Sequence, residues 1–152
     1  MDELKIGTNS GSVQYIVIKL GDESYGINIS YVENITRMVH ITRVPKVANY
    51  LKGVINLRGE VVPVMSLRLK MGLDEDEYTK NTRVIILKLE QHGTIGIIVD
   101  EVKEVVTLEE GQIEKVSADA NTEHSNYVVS VGKCDQGLIS LLDLNAVLTE
   151  QV

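Results

Sequence analysis

The chain has 152 residues, enough for one ordinary domain or for two very small ones that share a surface. Valine occurs 21 times and isoleucine 15 times, against 4 alanines and no phenylalanine or tryptophan. Because β-branched side chains suit a pleated sheet and lose rotamer freedom in helices, this composition predicts an all-β fold and argues against a helical bundle. The formal net charge of −7 disfavours nucleic acid as a partner, since that field repels phosphate.

Targeting signals are not expected in this sequence. The first 12 residues contain acidic side chains and no apolar core segment, which is unlike a secretory signal peptide. No apolar run approaches the roughly 20 residues that span a bilayer, so we expect no direct membrane insertion. The single cysteine, Cys134, cannot form an internal disulfide. We therefore expect a soluble, cytoplasmic protein.

The chain repeats itself. The segment YIVIKLGDESYGINISYVENI, from Tyr15, resembles VIILKLEQHGTIGIIVDEVKEV, from Val84, with an offset of 69 to 70 residues. A weaker similarity relates VMSL, from Val64, to LLDL, from Leu141. Each half has roughly 60 to 70 residues, near the lower limit for a stable core of its own. The repeat therefore predicts two small β-barrels packed side by side, with an apolar seam between them.

The second strand of each half shows clean alternation. Tyr25, Ile27 and Ile29 share one face, whereas Gly26 and Asn28 lie on the other. The position of Asn28 is taken by an isoleucine in the second half, on an otherwise small or polar face. This predicts contact with either the sister barrel or a partner. The sequences GDE, from Gly21, and DQG, from Asp135, predict hairpin turns.

Short helices are predicted after these strands. Ser30–Glu33 has the pattern of a capping box, and Asp100 is its counterpart in the second half. Pro45 is predicted to begin another helical turn that Gly53 ends. Asp143 is predicted to cap a C-terminal helix whose apolar stripe belongs to the core; the stripe consists of Leu144, Val147 and Leu148.

The central strands and the acidic segment set the predicted boundaries. A strand is predicted over Val54–Arg58, and Pro63 in the next strand predicts an edge or a bulge. Residues 72–81, with four consecutive acids, are predicted to be a solvated linker. We thus expect a first subdomain over 13–71, completed by segments from the chain termini. The second covers 82–148 and includes the C-terminal helix.

The sequence shows no set of residues typical of an enzyme. We find no metal-ligand spacing, phosphate loop or cofactor motif, and we predict no catalytic, metal-binding or cofactor-binding residues. Glu123, His124 and Ser125 have the residue types of a catalytic triad, but neighbours in sequence rarely converge geometrically. A binding or scaffolding role is therefore the main prediction. A small ligand-binding or hydrolytic β-barrel that uses these three residues stays as an alternative.

Several motifs together point to a known family. The segments GDESYGINI, ITRVPKVANYLKGVINLRGEVVPVMSLR, GIIVDEV and LISLLDLNAVL resemble the CheW family of bacterial chemotaxis coupling proteins, from about Val13 to Leu148. The resemblance implies two five-stranded SH3-like barrels. It also implies an adaptor that joins chemoreceptor tips to the regulatory domain of the histidine kinase CheA, in arrays beside the membrane. A module detached from a CheA-like or CheV-like protein is a further alternative, although 152 residues leave no room for a kinase or receiver domain.

The resemblance also implies binding residues. The residues that would bind receptor helices, in a groove between the barrels, are Val32, Ile35, Gly53, Val54 and Arg58. Those that would bind the kinase, by pairing similar barrels end to end, are Gly96, Ile97, Ile98 and Val102. The alternation of the strand turns Arg58 away from Ile55 and Leu57, and a guanidinium suits a polar anchor beside an apolar groove.

Three positions depart from the family pattern. Asn34 stands where an acidic residue commonly pairs with the groove arginine, so that ion pair is either missing or moved to Glu33. Asn28 and Ser66 each stand where Asp is usual. Serine caps helices about as well as aspartate, so the change at Ser66 is expected to be harmless.

Overall fold

A computed structural model of the protein describes residues 11–115, 127–135 and 137–149. Short helices α1 (Leu67–Lys70) and α2 (Leu144–Leu148) accompany 3-10 turns at Ile29–Tyr31 and Glu110–Gln112. The strands within the described residues are β1 (Val13–Leu20), β2 (Glu23–Asn28), β3 (Val32–Arg37), β4 (Leu51–Leu57), β5 (Glu60–Ser66), β6 (Arg83–Leu89), β7 (Gly93–Val99), β8 (Glu101–Leu108), β9 (Ile113–Lys115), β10 (Val128–Cys134) and β11 (Gly137–Leu142). The predicted all-β class with short helices is confirmed.

The strands form two sheets, each around its own apolar cluster. Barrel I has the strand order β9-β10-β11-β2-β1-β8, and barrel II has the order β3-β6-β7-β5-β4. The core of barrel I consists of Val17, Leu108, Ile139 and Leu141. The core of barrel II consists of Ile55, Val62, Val64, Val84, Ile86 and Ile98. The pair of small barrels expected from the repeat is therefore present.

The barrels do not divide the chain where the sequence suggested. Strands β1 and β2 belong with β8 to β11, whereas β3 to β5 belong with β6 and β7. The predicted subdomains over 13–71 and 82–148 are thus wrong: the first two strands of each half complete the other half's barrel. The exchange runs through two parallel pairings, Gly26 of β2 opposite Leu141 of β11, and Gly96 of β7 opposite Val64 of β5.

Glycine makes both parallel pairings compact. A Cβ atom added to Gly26 would lie 2.7 Å from Cδ2 of Leu141, and one added to Gly96 would lie 2.9 Å from Cγ1 of Val84. Real Cβ atoms do not approach so closely, so each barrel interior fills the space above its glycine with an aliphatic side chain. These two glycines are the equivalent positions of the repeat, and they have equivalent roles.

A third and larger cluster joins the barrels. It takes Ile18 and Tyr25 from barrel I, Ile85 and Ile97 from barrel II, and Leu144 from α2, all buried. This is the predicted apolar seam. Because a seam of this size would be exposed if either barrel unfolded alone, the two barrels should unfold together.

The second part of the repeat is also visible in the structure. The backbone N–H of Ser66 donates to the carbonyl of Tyr50 (2.7 Å), and that of Asp143 donates to the carbonyl of Tyr127 (2.8 Å). Each pair of partners is separated by the same number of residues, so the two bonds are equivalent. The buried Lys70 lies between the halves, with its Nζ 4.2 Å from the ring centroid of Tyr50 and 5.9 Å from that of Tyr127. Its cation therefore contacts aromatic rings from both halves.

The two helix caps predicted from Ser66 and Asp143 are confirmed. Oγ of Ser66 accepts a hydrogen bond from Leu69 N (3.1 Å) at the start of α1. A carboxylate oxygen of Asp143 accepts from Asn145 N and Ala146 N at the start of α2. The apolar stripe of α2 faces the shared seam.

The other predicted helices do not form. Residues 29–31 make a 3-10 turn capped by Asn28, whose Oδ1 accepts from Ser30 N (2.9 Å), and β3 begins at Val32. The β-branched residues Val32, Ile35 and Thr36 favour the strand over the helix there. Pro45 lies in a turn and Gly53 lies inside β4, so neither bounds a helix. Asp100 lies between β7 and β8 and caps no helix.

Pro63 is accommodated without a sheet edge. Strand β5 lies between β7 and β4, so the predicted edge is wrong, although the partner strand has a register shift between Leu51 and Gly53. Val54, opposite Pro63, directs its N–H and its carbonyl to Thr42. The pair therefore exchanges no hydrogen bonds between β4 and β5, so the missing amide proton of proline removes none there. The parallel pairing of β5 with β7 begins at the next residue, Val64.

The predicted hairpin turns are at the ends of paired strands. Gly21, with φ of 60°, joins β1 to β2 and supplies the left-handed conformation that such a turn requires. Gly137 has φ of 117° at the start of β11. Gln136, between Asp135 and Gly137, lies outside the described residues.

Candidate functional site

The hairpin between β4 and β5 presents Arg58 at its tip. Leu57 pairs with Glu60, so Arg58 and Gly59 form a two-residue loop in which both φ angles are positive, 52° and 85°. Positive φ at both positions is typical of a type I′ turn, where asparagine and glycine are favoured. Arg58 therefore lies in the turn and not in the predicted strand. Its side chain is exposed, and its backbone adopts a conformation that costs a non-glycine residue roughly 1–2 kcal/mol.

Gly53 and Val54 are held by the loop that follows β3. Val54 N and Thr42 N each donate to the other's carbonyl at 2.8 Å. Gly53 has φ of 145°, and a Cβ atom there would lie 2.1 Å from the carbonyl oxygen of Thr42. Gly53 is buried and contributes no side chain to a surface. Because it has no Cβ atom, the carbonyl group of Thr42 can pack against it. Val54 is partly exposed.

Val32 and Ile35 lie on β3, at the other end of the barrel II strand order. Val32 is half-buried and packs against the seam shared by both barrels, whereas Ile35 is 36% exposed. The five residues predicted to bind receptor are thus all in barrel II, on its two outer strands and one hairpin. Only Val32 among them contacts the shared seam.

The sequence predicts that the acidic partner of Arg58 is either missing or replaced by Glu33. Asn34 uses its Oδ1 to accept a hydrogen bond from Ile35 N (2.8 Å), a local contact within β3. Among the ion pairs between residues that the structure describes, none joins Glu33 to Arg58. The described part of the chain therefore supplies no acidic partner at either position.

The residues predicted to bind the kinase are mostly inside the protein. Ile97 is fully buried in the shared seam, and Ile98 is fully buried in the core of barrel II. Gly96 is buried under Val84, and Val102 is half-buried against the seam. The prediction is wrong for the first three, because a buried side chain cannot contact a partner while β7 stays folded. The face of β7 that resembled an exposed surface is the interior of barrel II.

An ion pair that the sequence did not reveal connects the two barrels. Nε and Nη2 of Arg68, in α1, lie 2.8 and 3.0 Å from the two carboxylate oxygens of Asp100. The same carboxylate accepts from Gly21 N (2.8 Å), in the β1–β2 turn of barrel I. We call this three-residue contact the Arg68–Asp100 clasp. Burial raises the pKa of Asp100, but the hydrogen bonds from Arg68 and Gly21 and the positive charges of Arg68 and Lys19 together outweigh burial and hold that pKa below its usual value.

The acidic segment 72–81 is mostly exposed and contains no helix or strand, as predicted for a solvated linker, but two of its acids also contact the fold. Oγ of Ser66 donates to Oδ1 of Asp76, and Lys52 pairs with Glu75 at 2.5 Å. Burial raises the pKa of Asp76, more than the hydrogen bond from Ser66 lowers it. Its Oδ2 is buried without a hydrogen-bond partner among the described residues. A run of acids in a sequence does not show which carboxylate folds inward, so this contact had no sequence signal.

The described residues contain no group of three or more His, Cys, Asp and Glu side chains that could hold a metal ion. Within the same residues, no helix has the length and apolar character that crossing a bilayer requires. Glu123, His124 and Ser125, the alternative catalytic set, lie outside the described residues.

Known proteins are similar to this chain in sequence and in fold. The family model of the CheW-like domain matches residues 14–152. The chemotaxis protein CheW of Bacillus subtilis is 36% identical over 136 residues, covering 90% of this chain and 86% of the relative. The CheW of Klebsiella aerogenes is 32% identical over 147 residues, covering 97% and 88%.

A solved structure agrees with these relatives. The scaffolding protein TtCheW from Thermoanaerobacter tengcongensis superimposes with a TM-score of 0.84 at 29% identity, covering 91% of this chain and 94% of that one. The family model over nearly the whole chain, the relatives above 30% identity and the common fold lead to one conclusion: the chain belongs to the CheW family.

Proposed function

We propose that this chain is a non-enzymatic adaptor that couples methyl-accepting chemoreceptors to the histidine kinase CheA in signalling arrays. The relatives are named chemotaxis proteins, and the structural relative is a scaffolding protein. The buried apolar residues form three clusters, one in each barrel and one between the barrels. The protein works in the cytoplasm and is recruited to arrays at the membrane through its partners.

Arg58 carries the receptor-binding part of the proposal. Non-glycine residues with positive φ persist where the surrounding structure enforces them, and they cluster at binding and active sites. A type I′ turn would be less strained with asparagine at this position, yet it holds an exposed guanidinium. We propose that Arg58 pairs with a carboxylate on a receptor helix, and that Ile35 and Val54 supply apolar contacts to the receptor from the two outer strands. Gly53 and Val32 act by positioning these strands.

The kinase would bind through exposed positions and not through β7. Val61, at 68% exposed, and Leu138, at 66% exposed, are the most exposed large apolar side chains of the described residues. Val61 is near the start of β5 and Leu138 near the start of β11, so each barrel exposes an aliphatic side chain at the same place in the repeat. Equivalent exposed positions on two similar barrels fit end-to-end pairing with the barrels of a CheA regulatory domain.

Two substitutions at one position test the receptor assignment. Arg58→Asn removes the guanidinium while suiting the positive φ, so we expect unfolding stability to stay the same or rise and receptor binding to weaken. Arg58→Glu should weaken binding further by charge repulsion. The control is Lys103→Glu, which changes the net charge by the same amount as Arg58→Glu at an exposed position of barrel I. Binding is measured by co-sedimentation with receptor-containing membranes, and coupling by CheA activity.

Undiminished receptor binding in both Arg58 variants would show that the receptor contacts lie elsewhere. Failure of the wild-type chain to co-purify with CheA and chemoreceptors from its native cytoplasm would contradict the adaptor role itself. The kinase surface is tested separately with Val61→Asp and Leu138→Asp, which should reduce CheA binding while leaving the sheet interior intact.

A further inference from the structure

Charge is distributed very unevenly along the chain. Residues 34–59 contain five Lys and Arg and no Asp or Glu, whereas the rest of the chain carries 10 Lys and Arg against 22 Asp and Glu. This basic stretch includes the whole loop between β3 and β4. Two of these cations, Arg43 and Lys46, lie in the loop itself. A loop with positive and no negative side chains on an acidic protein suits an anionic partner.

The loop also lines a groove on the protein surface. The groove has a volume of about 850 Å³ and is lined by side chains within residues 38–52 and by Tyr78. Its apolar side chains are unusually exposed: Val39 at 42%, Val44 at 38%, Val47 at 39% and Tyr78 at 52%. We call this surface the loop groove. It does not include the residues assigned above to the receptor.

The loop groove is held in shape before any partner binds. The two hydrogen bonds between Thr42 and Val54 fix the first part of the loop to β4. The second part is fixed by the hydrogen bond from Leu51 N to the carbonyl of Ala48 (3.0 Å). Between them, Lys46 adopts a positive φ of 60° and is exposed together with Arg43. A preformed groove loses less conformational entropy on binding.

We propose that the loop groove binds an acidic segment of a partner protein, whose apolar side chains enter among the valines while its carboxylates pair with Arg43 and Lys46. An apolar concavity with basic groups at its rim matches a segment that carries both leucine-like and acidic side chains. A flat anionic lipid surface fits less well, because it would also meet the acidic residues 74–77 beside the groove, near the Lys52–Glu75 pair, whereas a peptide segment can lie within the groove alone. Nucleic acid is disfavoured by the net charge of −7.

The test uses three synthetic peptides of equal length, titrated into the isotopically labelled full chain and followed by amide NMR. One peptide alternates leucine and glutamate, the second replaces glutamate with glutamine, and the third replaces leucine with serine. The first peptide should bind most tightly, with shifts concentrated at residues 38–52 and Tyr78. Raising the ionic strength from about 0.05 to 0.5 M should weaken the binding of this peptide, since the Debye screening length shortens to a few ångströms.

Matched variants decide whether the loop groove is responsible. The double variant Arg43→Glu with Lys46→Glu should bind the leucine–glutamate peptide at least about tenfold more weakly, because two attractions become repulsions. Lys103→Glu, on barrel I, should bind as the wild type does. Val44→Ser tests the apolar contribution and should weaken the same peptide without changing its salt dependence.

Several results would overturn the proposal. The proposal is wrong if the glutamate and glutamine peptides bind with equal affinity, or if the amide shifts lie outside the loop groove. It is also wrong if Lys103→Glu loses as much peptide affinity as the double variant. Binding of phosphatidylserine vesicles that is lost in the double variant would reassign the groove to lipid. Because Arg58 is unchanged in these variants, receptor binding should persist in them, and the two proposals can fail independently.

Discussion

Asp100→Ala should weaken the connection between the barrels without touching either barrel core. The substitution removes both contacts with Arg68 and the hydrogen bond from Gly21. Exposed ion pairs contribute up to about 1 kcal/mol, and breaking a buried pair costs about 3–5 kcal/mol. The side chains of Arg68 and Asp100 are 19% and 27% exposed, between these limits. We therefore expect the free energy of unfolding to fall by about 2 kcal/mol, or roughly 4–8 °C in Tm.

The pH dependence of this loss follows from the lowered pKa of Asp100. Ionised Asp100 stabilises the fold above its unfolded-state pKa of about 3.9, and this stabilisation disappears as pH falls through the folded-state pKa. The gap between wild type and Asp100→Ala should thus be full at pH 7 and should shrink below about pH 4. Urea unfolding at several pH values measures it, with the exposed Glu90→Ala as control.

Arg68→Lys separates geometry from charge in the same contact. Lysine keeps the positive charge but cannot contact both carboxylate oxygens as a planar guanidinium does, so an intermediate loss is expected. If Asp100→Ala matched Glu90→Ala at every pH, the clasp would be a contact without energetic consequence, and the inference that it fixes the barrels would be refuted.

Two further predictions concern single positions. Gly53→Ala should destabilise the protein by more than about 3 kcal/mol in urea unfolding, because its Cβ would meet the Thr42 carbonyl, whereas Gly59→Ala, which faces open space, should cost only about 1 kcal/mol. Asp76→Asn should raise stability at pH 7 and flatten its pH dependence: with a raised folded-state pKa, protonated Asp76 stabilises the fold at low pH, and that contribution is lost as pH rises through that pKa. An unchanged pH profile would contradict this.

Much of the local structure was accessible from the sequence. Ser66 and Asp143 cap their helices because a short polar side chain before an apolar turn accepts amide hydrogen bonds wherever the helix lies. Gly21 occupies its turn because only the local backbone decides that conformation. Where strand and helix preferences competed, as at Ser30–Glu33, the pattern was ambiguous and the neighbouring strand β6 decided for β3.

The candidate site was predicted less completely. Arg58 and Val54 reach the surface as expected, but Gly53 acts through the space it leaves for Thr42. The prediction that Ile97 and Ile98 bind the kinase failed, because an alternating pattern shows that a strand has two faces but does not show what covers each face. In β7 both faces are covered, one by the seam and the other by the core of barrel II.

The sequence by itself determined an all-β chain with an internal repeat, an aliphatic core and membership of one family. Valine and isoleucine content, periodicity and motif spacing are properties of neighbouring residues, so they can be recognised before folding. Only the tertiary structure decided that the halves exchange their first two strands, that Asp100 joins the barrels and that Asp76 turns inward. Each of these outcomes joins residues that are distant in sequence, such as Leu141 above Gly26 and Val84 above Gly96, and strand partners are selected by packing across the sheet.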